Sequence, residues 1–306
     1  MKICCRGKLA TAELYRSILY MPGSNERALE KAKGLECDGM IFDLEDAVTP
    51  DKKSHARKLV RDFVSSNKDS YGTKKIFIRV NAWDTSWGKD DFCFASQAEP
   101  DVILLPKINT GNDFNKYFGM LNEPLNPKIQ IWAMVETPSA IINLNEIAGA
   151  TANLGGFVLG TNDLAKDLNI TNENSRQALL AVLSMTNMVA KANNIVCLDG
   201  VYNAFKDIDG LRLECEQGKS FGFDGKTLIH PCQIDTTNAI FSPSEEEIET
   251  AKSYVEAFLT AQNSGSGVAV VNGKIVENLH VEMAKNILQK VKLIEKKRCK
   301  DIGNSK

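Results

Sequence analysis

Eight short apolar runs recur along the chain at intervals of roughly 20 to 40 residues, each followed by a stretch with helical spacing or turn residues. They read SILYMPG (17–23), GMIFDLED (39–46), KIFIRVN (75–81), DVILLPKI (101–108), IQIWAMVETP (129–138), GGFVLGTNDL (155–164), IVCLDGVY (195–202) and FDGKTLIHP (223–231). Runs this short and this continuously apolar suit strands buried on both faces, as in parallel sheets covered by helices. SNERALEKAKGL and SRQALLAVLSMTNMVAKANN supply helices between them, with Ser24 and Thr49-Pro50 as expected helix starts. Eight such units predict an α/β fold, a (β/α)8 TIM barrel, which typically takes about 250 residues. A doubly wound sheet is the alternative, but no G-x-G-x-x-G opens a helix after the first run.

Beyond residue 240 the pattern changes. Ser242-Pro243-Ser244-Glu245 reads as a capping box with proline at the first helical position, opening a helix through Ala261. NSGSG (263–267) breaks it, VAVVNGKIV (268–276) reads as a hairpin turning at Asn272-Gly273, and HVEMAKNILQKVKLIEKK closes as an amphipathic helix. The expected organisation is a barrel over 1–240 and an extension over 241–306. That extension either caps its own barrel or reaches a neighbouring subunit.

Composition excludes several functions. A net charge of -2 lacks the basic surplus of a nucleic-acid binder. No 18-residue apolar run offers a membrane span, and charges break MKICCRGKLATAELYR before a signal-peptide core can form, so the expected location is cytoplasmic. The eight cysteines form no C-x-x-C pair, and the three histidines (His55, His230, His280) sit in no H-E-x-x-H. A structural zinc site and His-based nucleophilic catalysis therefore have little to work with.

What remains is oxygen chemistry. FDLEDAV (42–48) puts Asp43, Glu45 and Asp46 into four positions directly after an apolar run. Packed carboxylates repel, and buried ones are costly unless paired or bound to a cation. Polar groups also end the other runs: Arg79 and Asn81, Lys107, Glu136, Asn162 and Asp163, Asp199, and His230, while Arg16 and Ser17 open the first. In a barrel these are expected to gather at the C-terminal mouth, where such folds do their chemistry. Carboxylates with almost no histidine suit Mg2+ or Mn2+, and Glu136 with Asp163, from neighbouring strands, is the expected ligand pair. Arg16 and Arg79 are the expected partners of anionic substrate oxygens. Asp43 and Glu45 share one strand face, with Asp46 turned away or in the loop, and they are expected to orient metal-bound water, with a surface or arginine-paired structural role as the alternative.

In order along the chain, RSILYMPGSNERALEKA, DGMIFDLEDAV, IFIRVN, ILLPKI, VETPSAI, GTNDLAKDL, DGVY and GKTLIHPCQI resemble the citrate lyase β-subunit-like family of CoA-ester lyases, in the HpcH/HpaI aldolase group, from Arg16 to Lys290. The resemblance implies a barrel assembled as a trimer or a dimer of trimers that uses Mg2+ to cleave a 3-hydroxyacyl-CoA. It assigns the metal to Glu136 and Asp163, substrate oxygens to Arg79 and Arg16, and metal-water contacts to Glu45 and Asp46. The family's C-terminal G-x-M-I-D-x-P stretch, presented to an adjacent subunit, appears here as GKIVENLH. Glu277 thus stands where an aspartate is expected, on a longer arm, which puts the geometry of proton transfer in question.

The implied reaction breaks a carbon–carbon bond of a malyl-CoA, β-methylmalyl-CoA or citramalyl-CoA type of thioester, giving an acyl-CoA and a 2-oxo acid such as glyoxylate or pyruvate. Glu277 from a neighbouring chain would protonate the enolate. The CoA phosphates have no phosphate loop to meet, and Lys226 and His230 are the candidates. Three rival readings stay open: the β subunit of a citrate lyase complex, a malyl-CoA thioesterase, and a non-catalytic CoA-binding protein.

Overall fold

The computed structural model describes residues 13–170 and 175–303. Eight parallel strands close on themselves in chain order: β1 (Ser17–Pro22), β2 (Gly39–Asp43), β3 (Lys75–Arg79), β4 (Val102–Leu105), β5 (Gln130–Val135), β6 (Leu154–Leu159), β7 (Val196–Asp199) and β8 (Gly225–Leu228). The last pairing, Ser17 opposite Lys226 on β8, seals a (β/α)8 barrel. All eight apolar runs are strands; Asp43, Arg79 and Asp199 are the last residues of β2, β3 and β7, whereas Lys107, Glu136, Asp163 and His230 lie beyond their strands. No helix among the described residues is long and apolar enough to cross a membrane.

Strand alternation divides the core in two. Ile18, Ile41, Phe77, Leu104, Trp132, Val158 and Leu198 point inward and fill the barrel, with Phe77 edge-on to Trp132 at 5.0 Å between ring centroids. Leu19, Met40, Phe42, Ile78 and Ile103 alternate with them and pack outward in the larger cluster that includes helical residues such as Leu29, Val60 and Phe92. Seating both faces is what a continuously apolar strand requires. At Gly225 any Cβ would run into the carbonyl oxygens of Tyr15 and Arg16, so β8 closes against β1 only with no side chain there.

Local signals place the helices, with small shifts. The first helix, Glu26–Ala32, is capped by Asn25, whose side chain accepts from the Ala28 N–H, rather than by Ser24. Thr49 precedes a 3-10 turn with Pro50 at its first position, and the helix Lys53–Asn67 follows.

The barrel lies in one compact unit, Tyr15–Phe241, and a second unit begins at Ser242. Its helix Glu245–Asn263 opens at Ser244, two residues after the expected cap, with a reciprocal Ser244–Glu247 capping box. Strands β9 (Ala269–Val271) and β10 (Lys274–Val276) form the hairpin, and Asn272 and Gly273 take φ of 50° and 74° as such a two-residue turn demands. The helix Asn278–Gly303 follows, and Phe258, Ala269, Val276 and Val281 make a small core of their own.

Candidate active site

The barrel's C-terminal ends hold the acids of the FDLEDAV stretch around one arginine. Arg79, the last residue of β3, donates from Nε and Nη2 to both oxygens of Asp43 at 2.7 and 2.6 Å. Its Nη1 lies 3.0 Å from Glu45 and 3.2 Å from Asp46, and its Cζ sits 4.9 Å above the Tyr20 ring. Asp43 also accepts the backbone N–H groups of Glu45 and Ala47 at 2.9 and 3.0 Å. Burial works to raise the Asp43 carboxyl, but the guanidinium and these hydrogen bonds hold it below the usual carboxylate range. Glu45 goes the other way. Burial pushes its carboxyl up to about 8 against the pull of Arg79, with Glu136, Asp46 and Asp43 adding repulsion. The three acids are thus gathered on the arginine, and Asp46 lies in the loop with its side chain largely exposed.

Lys53 and Asn81 fix that loop. Lys53 Nζ donates to the Leu44 and Glu45 carbonyls at 3.0 and 2.9 Å and to Asn81 Oδ1 at 2.6 Å. Asn81 Nδ2 donates to the Leu44 carbonyl at 2.7 Å and to Asp91. Lys53 opens the helix Lys53–Asn67 and was not among the expected site residues.

Glu136 follows β5, and Asp163 lies in the first turn of the helix Thr161–Asp167 after β6. One residue links them. Lys107, after β4, gives its backbone N–H to Glu136 Oε1 at 2.7 Å, and its ammonium is ion-paired to Asp163 and lies 3.6 Å from Glu136. It holds this position with φ of 54°, a left-handed conformation uncommon outside glycine. Lys107 ends an apolar run and stood out only as a strand-end polar group. Burial raises the Glu136 carboxyl, with Lys107 opposing.

Two carboxylates already gathered around a cationic group fit a hard divalent ion. Among the described residues no three His, Cys, Asp or Glu side chains come together as a metal cage. Mg2+ commonly takes only one or two protein carboxylates and fills its other positions with water and substrate. The pair opens on a cavity of about 320 Å³ lined by Tyr20, Asp43, Asp46, Arg79, Glu136 and Asp163, with Met134, Leu159, Val201 and Ile229 as apolar walls. A second cavity of about 1040 Å³ shares Thr161, Asn162, Val201 and Asn203 with it.

Two expected site residues lie elsewhere. Arg16 precedes β1, so it stands at the N-terminal end of the barrel, opposite the mouth. Its guanidinium is committed to Asp38, with Nε at 2.8 Å and Nη2 at 2.7 Å, and both side chains are buried. Removing the guanidinium in Arg16→Ala strands a buried carboxylate and is expected to destabilise the fold by about 3–5 kcal/mol. Turnover per folded molecule should stay unchanged, and denaturant melts beside an activity assay check both. Lys226, expected to face CoA, is fully buried behind the barrel wall. Its ammonium meets Glu214 at 2.5 Å, the Gly200 carbonyl at 2.5 Å and Asp199 at 3.2 Å, and Arg176 completes the charge balance on Asp199 and Glu214. An outward-facing strand lysine needs such partners and is sealed from any ligand.

His230 follows β8 and is exposed. It stacks on Phe205 at 4.6 Å, and its Nδ1 accepts the Cys232 N–H as a helix cap, while its neighbour Ile229 reaches the cavity. Glu277 lies in the second unit between β10 and its closing helix, exposed, with its backbone N–H donated to His280 Nδ1 at 3.1 Å. None of the described cysteines forms a disulfide.

Comparison with known proteins agrees with the barrel. Residues 16–231 match the family model described as HpcH/HpaI aldolase/citrate lyase. A (3S)-malyl-CoA thioesterase of Cereibacter sphaeroides is 48% identical over 283 residues, covering 92% of this chain and 96% of that protein. The citrate lyase subunit beta of Leuconostoc mesenteroides is 31% identical, covering 90% and 93%. A Mycobacterium tuberculosis citrate lyase beta subunit, solved with oxaloacetate and magnesium, superposes with a TM-score of 0.64 at 25% identity over 75% of this chain and 98% of that one.

Proposed function

The chain belongs to the HpcH/HpaI aldolase/citrate lyase family, a family of CoA-ester lyases and related thioesterases, and from that premise we propose that it hydrolyses a short 3-hydroxyacyl-CoA of the malyl-CoA type. The observation that carries this reading is the 48% identity to the malyl-CoA thioesterase, which spans both the barrel and the C-terminal unit. Carbon–carbon cleavage, the reaction that the family resemblance implied, is the second reading. The citrate lyase beta relatives favour it.

Both readings use the same residues. A divalent cation held by Glu136 and Asp163 would supply Lewis-acid polarisation of a substrate oxygen. Arg79, fixed by Asp43, offers a rigid cationic edge to the oxygen on which charge builds. Glu45, with a carboxyl near 8, exchanges a proton close to neutral pH. In hydrolysis, water gives that proton to Glu45 as its oxygen attacks the thioester carbon. The C–S bond then breaks, and the thiolate recovers the proton. In the lyase reading the substrate hydroxyl gives up the proton, the carbon–carbon bond breaks, and Glu277 of a neighbouring chain returns a proton to the enolate. The second cavity offers room for an extended thioester. A homotrimer or hexamer accords with the apolar side chains Val270, Ile275, Leu279 and Met283, left exposed on the C-terminal unit.

The test is an assay with Mg2+ on malyl-CoA, β-methylmalyl-CoA and citramalyl-CoA, following free thiol, glyoxylate and pyruvate separately. Free thiol without oxo acid is expected. Oxo acid without free thiol makes the enzyme a carbon–carbon lyase, and no product from any of the three sinks both readings.

A further inference from the structure

Beside the residues that carry charge in the mouth stands a neutral donor that they leave unused. Tyr20 is the fourth residue of β1, where Ile18 points into the barrel and Leu19 and Met21 point out. By the same alternation Tyr20 packs against the interior cluster at the C-terminal end of the strand and lines the reaction cavity. Its ring is the platform under Arg79. Its hydroxyl, by contrast, has no hydrogen-bond partner among the described residues and is not sealed in the core as the Tyr71 and Tyr117 hydroxyls are. Asp43, Glu45, Glu136 and Arg79 all bear on it electrostatically, yet none binds it.

A phenol so placed keeps its O–H available to donate to a ligand. Burial, opposed by Arg79 and reinforced by the three carboxylates, raises its ionisation above the ordinary tyrosine range, so it keeps its proton at neutral pH. Apart from Arg79, the charged groups lining the cavity are carboxylates, which repel an anionic substrate oxygen rather than bind it. Arg79 spends donors on Asp43, Glu45 and Asp46 before any ligand arrives. A neutral O–H beside the guanidinium adds a hydrogen bond where charge develops, without adding charge of its own.

We propose that the Tyr20 hydroxyl donates a hydrogen bond to the substrate oxygen that faces Arg79, the oxygen on which charge accumulates in the transition state. No bond to the phenol forms and no proton leaves it. This rests on the malyl-CoA reading above for the identity of the oxygen, but not for the hydroxyl's placement.

Tyr20→Phe keeps the ring under Arg79 and deletes the donor alone, and Tyr20→Leu removes both. With Mg2+ and malyl-CoA, Tyr20→Phe is expected to lower kcat about 10- to 100-fold with KM little changed and the melting temperature held. Tyr20→Leu should fall further. Calorimetric titration of malate and of glyoxylate into the Mg2+-loaded protein gives a readout independent of turnover, and Tyr20→Phe should weaken whichever acid binds. If Tyr20→Phe matches the wild type within twofold in both kcat and acid affinity, the hydroxyl has no such role. If the wild type turns over no malyl-CoA, the functional reading fails while the acid titration still decides Tyr20. A wild type that also binds neither acid overturns both.

Discussion

Arg79→Lys is expected to lower kcat/KM by about 100- to 1000-fold while leaving the barrel folded. The charge survives the substitution, but the planar fork does not. In the wild type two nitrogens of that fork are tied to Asp43 and the third reaches Glu45 and Asp46, so one side chain satisfies three carboxylates. An ammonium on a flexible stem cannot span Asp43 and still present a flat edge over Tyr20 to a substrate oxygen. The loss should appear in kcat more than in KM, because the contact strengthens as charge builds. Some stability should go with it, since Asp43 is buried and loses its bidentate partner. Steady-state kinetics together with a thermal melt separate the two effects. A variant with wild-type kcat/KM would remove Arg79 from the chemistry.

The barrel was legible because its signal is repeated eight times. Each apolar run needs only to be short, continuous and followed by a helix, and no single boundary matters. Arg79 and Arg16 show where that reading stops. Both flank apolar runs, and both have the alternation of inward-facing residues, but one ends its strand and the other begins it. Strand period fixes the face, whereas position along the strand fixes which end of the barrel a side chain serves. Lys226 failed for the complementary reason: it sits within a strand on the outward face, and only Asp199, Glu214 and Arg176, scattered over three other elements, make its burial tolerable. Lys53 was passed over, and Lys107 was noted only as a strand-end group and not as the link between Glu136 and Asp163, because long flexible side chains act at a distance that spacing does not encode. The helix caps drifted by one or two residues for a related cause. Ser24 and Asn25, like Ser242 and Ser244, are all competent caps, and packing of the following helix chooses between them.

Lys107 also sets up the second large effect, a pair of opposite shifts in metal affinity. Glu136 and Asp163 face each other across its ammonium, so a divalent ion binding there must displace a cation already present. Glu136→Gln removes one negative charge and one oxygen of ligand quality. It is expected to weaken Mn2+ binding by more than 100-fold and to lower kcat/KM by about 1000-fold. The amide oxygen can still accept the Lys107 N–H, so the loop at φ of 54° should hold, and the fold with it. Lys107→Met keeps the backbone bond and the bulk of the stem but deletes the competing charge. Mn2+ binding should therefore tighten several-fold in Lys107→Met, an effect opposite in sign to that of Glu136→Gln at a site the two residues share. Titration followed by the Mn2+ paramagnetic resonance signal measures both without turnover. Equal affinity in Glu136→Gln and wild type would place the metal elsewhere. Weaker binding in Lys107→Met would mean that its ammonium orders the carboxylate pair for the ion more than it competes with it.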